Sequence, residues 1–276
     1  MTSDILVFLL PPFVASLILT GIHTYLGLHV VERGVIFVDL SLAQVAALGT
    51  TVGFLWGADL HGSGAYWWSL GFTFIGAGMF VMTRMRRSHI PQEAIIGIVY
   101  AVSAAMAVAV MSQAPEGAEH IKDMLVGNIL VVSWKEIWQT ALLYAGVGIF
   151  HWVYRERFLL ITSDPEQAYE QGLSVRWWDL LFYISFGLVV TSSVAMAGVL
   201  LVFSYLIVPS VFAMLFATRT GARLIIGWCM GTFVSAVGVL LSFLLDLPTG
   251  ATIVCTFGVT LLLGAMVSQF TRRDGQ

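Results

Sequence analysis

A chain of 276 residues that is 58% hydrophobic and 11% charged, with a mean hydropathy of +0.90, is too apolar for a water-soluble domain. Its net charge of -3, with thirteen Lys and Arg in clusters rather than spread over a face, excludes nucleic acid as a partner. Its two cysteines, Cys229 and Cys255, fall inside apolar runs and exclude a disulfide framework.

The expected fold is an all-α polytopic membrane protein of about nine transmembrane helices, eight to nine with a possible re-entrant segment at Leu125 to Val132 or before Val199. The apolar runs are Ile5–Leu28, Val35–Trp56, Ala65–Met85, Ala94–Met111, Ile137–Tyr154, Leu180–Ala197, Val199–Ala217, Leu224–Leu245 and Ala251–Phe270. At about 1.5 Å per residue each spans a hydrocarbon core of about 30 Å. No Lys or Arg precedes Arg33, so the first run lacks the basic flank of a cleavable signal and is expected to stay as a helix.

Within and beside the second run lie His23, His29, Glu32, Asp39 and Gln44. A carboxylate inside an apolar segment costs about 2.5 to 3.5 kcal/mol on insertion scales, so Asp39 is read as lining a path, as a structural hydrogen-bonding group, or as shallow enough to reach water. Gln44 reads equally as path lining or as glue between helices. His29 and Glu32 read as an interfacial cap and a partner for Arg33, or as path residues. Gly71, Gly76 and Gly78 in the third run, and Gly231 and Gly238 in the eighth, are expected to allow close helix approach.

Two outward segments are polar. Gly57 to Gly62 is a turn carrying Asp59 and His61, and Ala114 to Asp123 carries His120 and Asp123 three residues apart. Both read as solvated loops, with a docking surface as the alternative; two ligands do not make a metal site.

Between the fifth and sixth runs sits the island Ser163-Asp164-Pro165-Glu166-Gln167-Ala168-Tyr169-Glu170-Gln171-Gly172. Asp164 suits an N-cap, Pro165 the first helical position, Glu166 and Glu170 the side toward the positive dipole end, and Gly172 a left-handed stop, so a short helix is expected. If the loop at about 158–177 is cytoplasmic, eleven of the thirteen cations lie inside and only Lys122 and Lys135 outside. Nine crossings then put the amino terminus outside and the carboxyl terminus in the cytoplasm.

Four stretches in order carry a family resemblance: Gly127-Asn128-Ile129-Leu130-Val131-Val132-Ser133, Asp164 to Gly172, Gly198-Val199-Leu200-Leu201-Val202 through Leu206-Ile207-Val208-Pro209, and Asp246-Leu247-Pro248-Thr249-Gly250-Ala251. Together they resemble the permease subunits of ATP-binding-cassette importers for zinc, manganese and iron, and more distantly the cobalamin and siderophore permeases. The resemblance implies a single permease domain over residues 1–276 with a type II importer-like bundle, in the bacterial inner membrane. It implies a transport subunit, not an enzyme, that passes a divalent metal, binds no permanent cofactor, and relies on ATP held by a separate subunit. The implied partners are that ATP-binding subunit, an extracytoplasmic metal-binding protein and a second permease, identical or related. Asp164, Pro165, Glu166, Ala168 and Gly172 match the family's coupling loop. The family's second helix usually bears Asp-x-x-x-His; here those positions hold Leu40 and Gln44, with Asp39 one residue earlier, so Asp39, Gln44, His29 and Glu32 are the candidate metal-path residues. A metal-chelate permease is the nearest alternative and a secondary transporter a more distant one, since the latter needs more intramembrane ionisable groups.

Overall fold

The computed structural model describes residues 2–59, 62–84, 90–112 and 129–273, and every regular element among them is helical. In chain order they are α1 (Thr2–Glu32), α2 (Val38–Leu55), α3 (Ser63–Thr83), α4 (Gln92–Met111), a 3-10 turn (Ile129–Val131), α5 (Trp134–Val153), α6 (Arg155–Ser163), α7 (Pro165–Glu170), α8 (Val175–Ala197), α9 (Val199–Phe216), α10 (Thr220–Leu245) and α11 (Thr249–Arg273). His61, the stretch from Ala114 to Asp123 with His120, Arg86, Arg87, and the Gly127-Asn128 start of the first resemblance motif lie outside the described residues.

Each of the nine expected crossings is a helix. Eight of them, α1 to α4 and α8 to α11, are long and apolar enough to cross a membrane. A helix suits lipid because it satisfies its own peptide groups. The remaining one, α5, is 20 residues long but is broken in character by Lys135, Glu136, Gln139 and His151, and is not among the eight. Several boundaries moved by three to five residues, two of them at sites that matter below. α2 begins at Val38 rather than Val35, after a turn in which Gly34 takes φ +67°. α8 begins at Val175 rather than Leu180, which brings Asp179 inside the helix.

The chain divides into two compact units. The first comprises Met1–Val31, Leu125–Tyr144 and Met196–Gln276. There α9, α10 and α11 pack on one another, and small residues admit α1. A Cβ on Gly231 would lie 2.6 Å from Thr20 Cγ2, and one on Gly27 would overlap the Leu206 carbonyl oxygen. Trp228 Nε1 donates to the Gly21 carbonyl at 3.0 Å, and Ser210 Oγ donates to the Thr24 carbonyl at 3.2 Å. Lipid offers no hydrophobic drive for association, so dispersion and such hydrogen bonds hold the helices together.

The second unit comprises Glu32–Met124 and Ala145–Ala195. α2 packs against both α3 and α4. Gly49 and Gly53 lie against Trp68, and Gly76 against Leu42 and Val45. The Thr73 and Thr191 hydroxyls meet at 3.0 Å, joining α3 to α8. Of the glycines singled out in the third run, Gly71 and Gly78 have no neighbour within 4 Å of an added Cβ among the described residues, whereas Gly76 packs closely. A single residue, Gly198, joins α8 to α9 at φ 78° and ψ 160°, a conformation that is essentially reserved for glycine.

Candidate functional site

The polar residues of α2 are inside the protein. Asp39, the second residue of the helix, is 1% exposed, and both carboxylate oxygens are buried with no hydrogen-bond partner among the described residues. Ser41 Oγ, on the same turn, is likewise buried without a partner. Gln44 is buried one and a half turns deeper. The late start of α2 puts Asp39 in its first turn, where the helix dipole favours negative charge, yet it is buried from water. Asp39 and Ser41 thus place desolvated oxygens without a partner among the described residues on α2.

His29 and Glu32 sit in the last turn of α1. His29 is buried and meets the Tyr25 ring edge-on at 4.8 Å, whereas Glu32 is exposed. His29 belongs to the first unit, and Glu32, Asp39 and Gln44 to the second. Among the described residues no three His, Cys, Asp or Glu side chains form a group able to hold a metal ion.

A second polar cluster was not anticipated. Asp179, 1% exposed, accepts Arg33 Nη1 at 3.0 Å and Arg84 Nη1 at 2.5 Å on the same oxygen, Oδ1. Arg33 also donates through Nε to Thr162 Oγ1 at 2.9 Å, and its guanidinium lies 4.0 Å from the centre of the Phe182 ring. Burial lowers the Arg33 pKa from its ordinary value, and the Asp179 carboxylate opposes that shift. The cluster ties the α1–α2 turn, the end of α3, the end of α6 and the first turns of α8 into one clasp. Its sequence signal was faint: Asp179 stood just outside an apolar run assigned to begin at Leu180.

The expected island helix is present as α7, with an additional helix, α6, before it. Asp164 Oδ1 accepts the Gln167 amide at 2.9 Å, and Pro165 takes the first helical position. At the other end the Leu173 amide donates to Ala168 O and the Gly172 amide to Tyr169 O, both at 3.0 Å, with Gly172 at φ +74°. This pair of bonds is the Schellman arrangement, which closes the carbonyl end of a helix. Ala168 is fully buried, anchoring the short helix, while Glu166 and Glu170 are exposed. A capped helix with one buried and one charged face is a shape that another protein can grip.

With this geometry in place, comparison with known proteins identifies a shared lineage. The pattern of the ABC 3 transport family matches residues 6–268. The manganese transport system membrane protein MntC of Listeria innocua is 22% identical over 254 residues, covering 90% of this chain and 86% of the relative. The chelated iron transport system membrane protein YfeC of Yersinia pestis is 27% identical over 200 residues, covering 70% and 67%. Among solved structures, PsaBC from Streptococcus pneumoniae, in complex with Fab, matches with a TM-score of 0.76 at 21% identity, covering 93% of this chain and 90% of that one. At that identity the likeness concerns the fold.

Proposed function

Since the chain belongs to the ABC 3 transport family, we infer that it is the membrane permease of an ATP-driven importer of a divalent transition metal, with manganese or iron(II) as cargo. The observation that carries the choice of a cation is Asp39, a buried carboxylate without a hydrogen-bond partner in the second membrane helix. Such a group is costly in a membrane and characteristically marks an ion pathway. Gln44 adds a second oxygen, and an oxygen-only pair suits a harder ion better than tightly held zinc. The manganese and iron named for the relatives support the same cargo.

ATP is bound by a separate subunit, because this chain has no Gly-x-x-x-x-Gly-Lys-Ser/Thr loop. α7 is the element that subunit grips, with Asp164, Pro165, Ala168 and Gly172 setting its shape and Glu166 on its exposed face. An extracytoplasmic metal-binding protein delivers the ion, and a second permease completes the path. The clasp supports the sidedness: the α1–α2 turn, the end of α3 and the start of α8 meet at Asp179, so their cations share one face. α4 leaves that face and Tyr154, at the end of α5, touches Trp178 near it at 5.1 Å, which supports α5 as a ninth crossing. The amino terminus is then outside and the carboxyl terminus cytoplasmic.

The replacement of the family's Asp and His positions by Leu40 and Gln44 favours, as a second reading, a metal chelate as the cargo. Uptake of radioactive manganese by liposomes containing the permease, its ATPase and its binding protein tests both. Saturable, ATP-dependent manganese uptake that iron(II) competes away is expected. Uptake confined to a chelated metal would replace the free ion with the chelate.

A further inference from the structure

We propose that a cleft between the end of α3 and the start of α8 binds the phosphate of an anionic lipid headgroup, and that the bound lipid braces α7. The cleft has a volume of about 270 Å³ and is lined by Arg84, Tyr169, Leu173, Ser174, Val175 and Arg176. That is about nine water volumes at about 30 Å³ each, enough for a phosphate diester with its nearest waters and too little for a protein loop.

Depth identifies the ligand. Arg84 follows the last residue of the span Gly64–Thr83, and Arg176 is the second residue of the span Val175–Ala197. Both guanidiniums therefore stand where two helices leave the hydrocarbon on the same face, at the level of lipid phosphates. Exposed Trp177, next to Arg176 in the chain, is of the residue type that settles at this level.

Charge is the independent observation. Arg84, which lines the cleft, shares one carboxylate oxygen of Asp179 with Arg33, and Arg33 Nη2 is buried without a hydrogen-bond partner among the described residues. One positive charge is left over. Arg176 adds another, with no acidic partner among the described residues, and Arg86 and Arg87 follow Arg84 in sequence. Guanidiniums with the hydroxyls of Ser174 and Tyr169 make a donor set for a phosphate diester. Because Tyr169 belongs to α7 and Leu173 to its terminating turn, a lipid held here touches the coupling element on one side and α3 and α8 on the other.

The test uses the full-length permease with its ATPase in nanodiscs of phosphatidylcholine with or without phosphatidylglycerol. Phosphatidylglycerol retained after delipidation is counted by native mass spectrometry, and ATP hydrolysis is measured in the same discs. The wild type is expected to retain phosphatidylglycerol and to hydrolyse ATP faster in its presence. Arg176→Gln, an exposed position that leaves the Asp179 clasp intact, should weaken retention about fivefold, the worth of one basic residue at an anionic surface, and abolish the stimulation. Arg155→Gln, at an exposed arginine stacked on Trp152 at 4.6 Å, should behave as wild type. Equal retention by Arg176→Gln, or equal loss with Arg155→Gln, would overturn the site. Displacement of the lipid by inorganic phosphate would make it a site for the free anion, and release of the ATPase by Arg176→Gln with lipid retained would make it a seat for an acidic side chain; either result rejects the lipid.

Discussion

Arg33 Nη1 lies 3.0 Å from Asp179 Oδ1 although 146 positions separate the two residues. Arg84 reaches the same oxygen, so among the described residues this carboxylate is the one paired with both guanidiniums. Asp179→Asn removes the charge that both depend on, and breaking a buried pair in this way costs about 3–5 kcal/mol. Arg84→Gln leaves a neutral Arg33–Asp179 pair and should cost markedly less. Thermal unfolding in detergent compares the two variants. Equal losses would show that Arg84, not Arg33, is the counterion that matters.

The glycines predict a contrast within one chain. Gly27→Val drives a side chain into the Leu206 carbonyl, between α1 and α9, with backbone that cannot swing aside. It should destabilise the permease by about 3 kcal/mol or more, in line with overpacking at a tight contact. Gly71→Ala meets nothing within 4 Å and removes a flexible residue from a helix interior, so it should be neutral or stabilising by up to about 1 kcal/mol. Yield of monodisperse protein and Tm distinguish them; a destabilised Gly71→Ala would place an unseen neighbour on that face of α3.

The terminating turn of α7 requires φ +74° at Gly172. A β-branched residue there is strained by about 1–2 kcal/mol, and Asp164→Ala removes a cap worth about 1 kcal/mol. Both Gly172→Val and Asp164→Ala should leave insertion and stability in the membrane nearly unchanged, because the helix lies outside the spans. ATP hydrolysis stimulated by the loaded binding protein should fall several-fold in each. Full stimulation with both variants would make α7 a solvated connector.

The clasp holds Arg33, Arg84 and Asp179 together on one face, which the proposed sidedness makes cytoplasmic. In a background without Cys229 and Cys255, single cysteines at Asp59 and Gln171 should label from opposite sides with a membrane-impermeant maleimide. Labelling of both from the outside of sealed cells would reverse or break the assigned topology.

The membrane helices were legible because their signal, a long apolar run, is local. The same holds for α7, whose cap at Asp164, first-position Pro165 and stop at Gly172 act within a few residues of one another. Asp179 was not legible as a hub: its partners lie on other elements, and an apolar run beginning at Leu180 hid that α8 starts at Val175. Gly71, Gly76 and Gly78 look alike in sequence, but only the rotation of α3 against α2 decides which of them meets a neighbour. Asp39 stood out as a carboxylate in an apolar run. That both its oxygens are buried and without a partner among the described residues depends on tertiary packing that no local pattern shows.

Asp39 gives the sharpest test of the transport path. It and Gln44 are five residues apart, about 500° around the helix or about 140° net, so their side chains flank a stripe rather than stack in a line. A cation can meet both only if it moves along that stripe, with another element of the assembled transporter completing its shell. Asp39→Asn keeps the shape and the oxygen while removing the charge, and should cut manganese uptake at least tenfold, since a neutral amide is a far weaker ligand for a divalent ion. Asp39→Leu should abolish uptake and raise Tm, because the carboxylate has no hydrogen-bond partner to lose and a buried polar group without one costs about 1–3 kcal/mol. The pairing of lost transport with gained stability separates a functional carboxylate from a structural one, whose removal lowers both. Undiminished uptake by Asp39→Asn would take the ion path away from this face of α2.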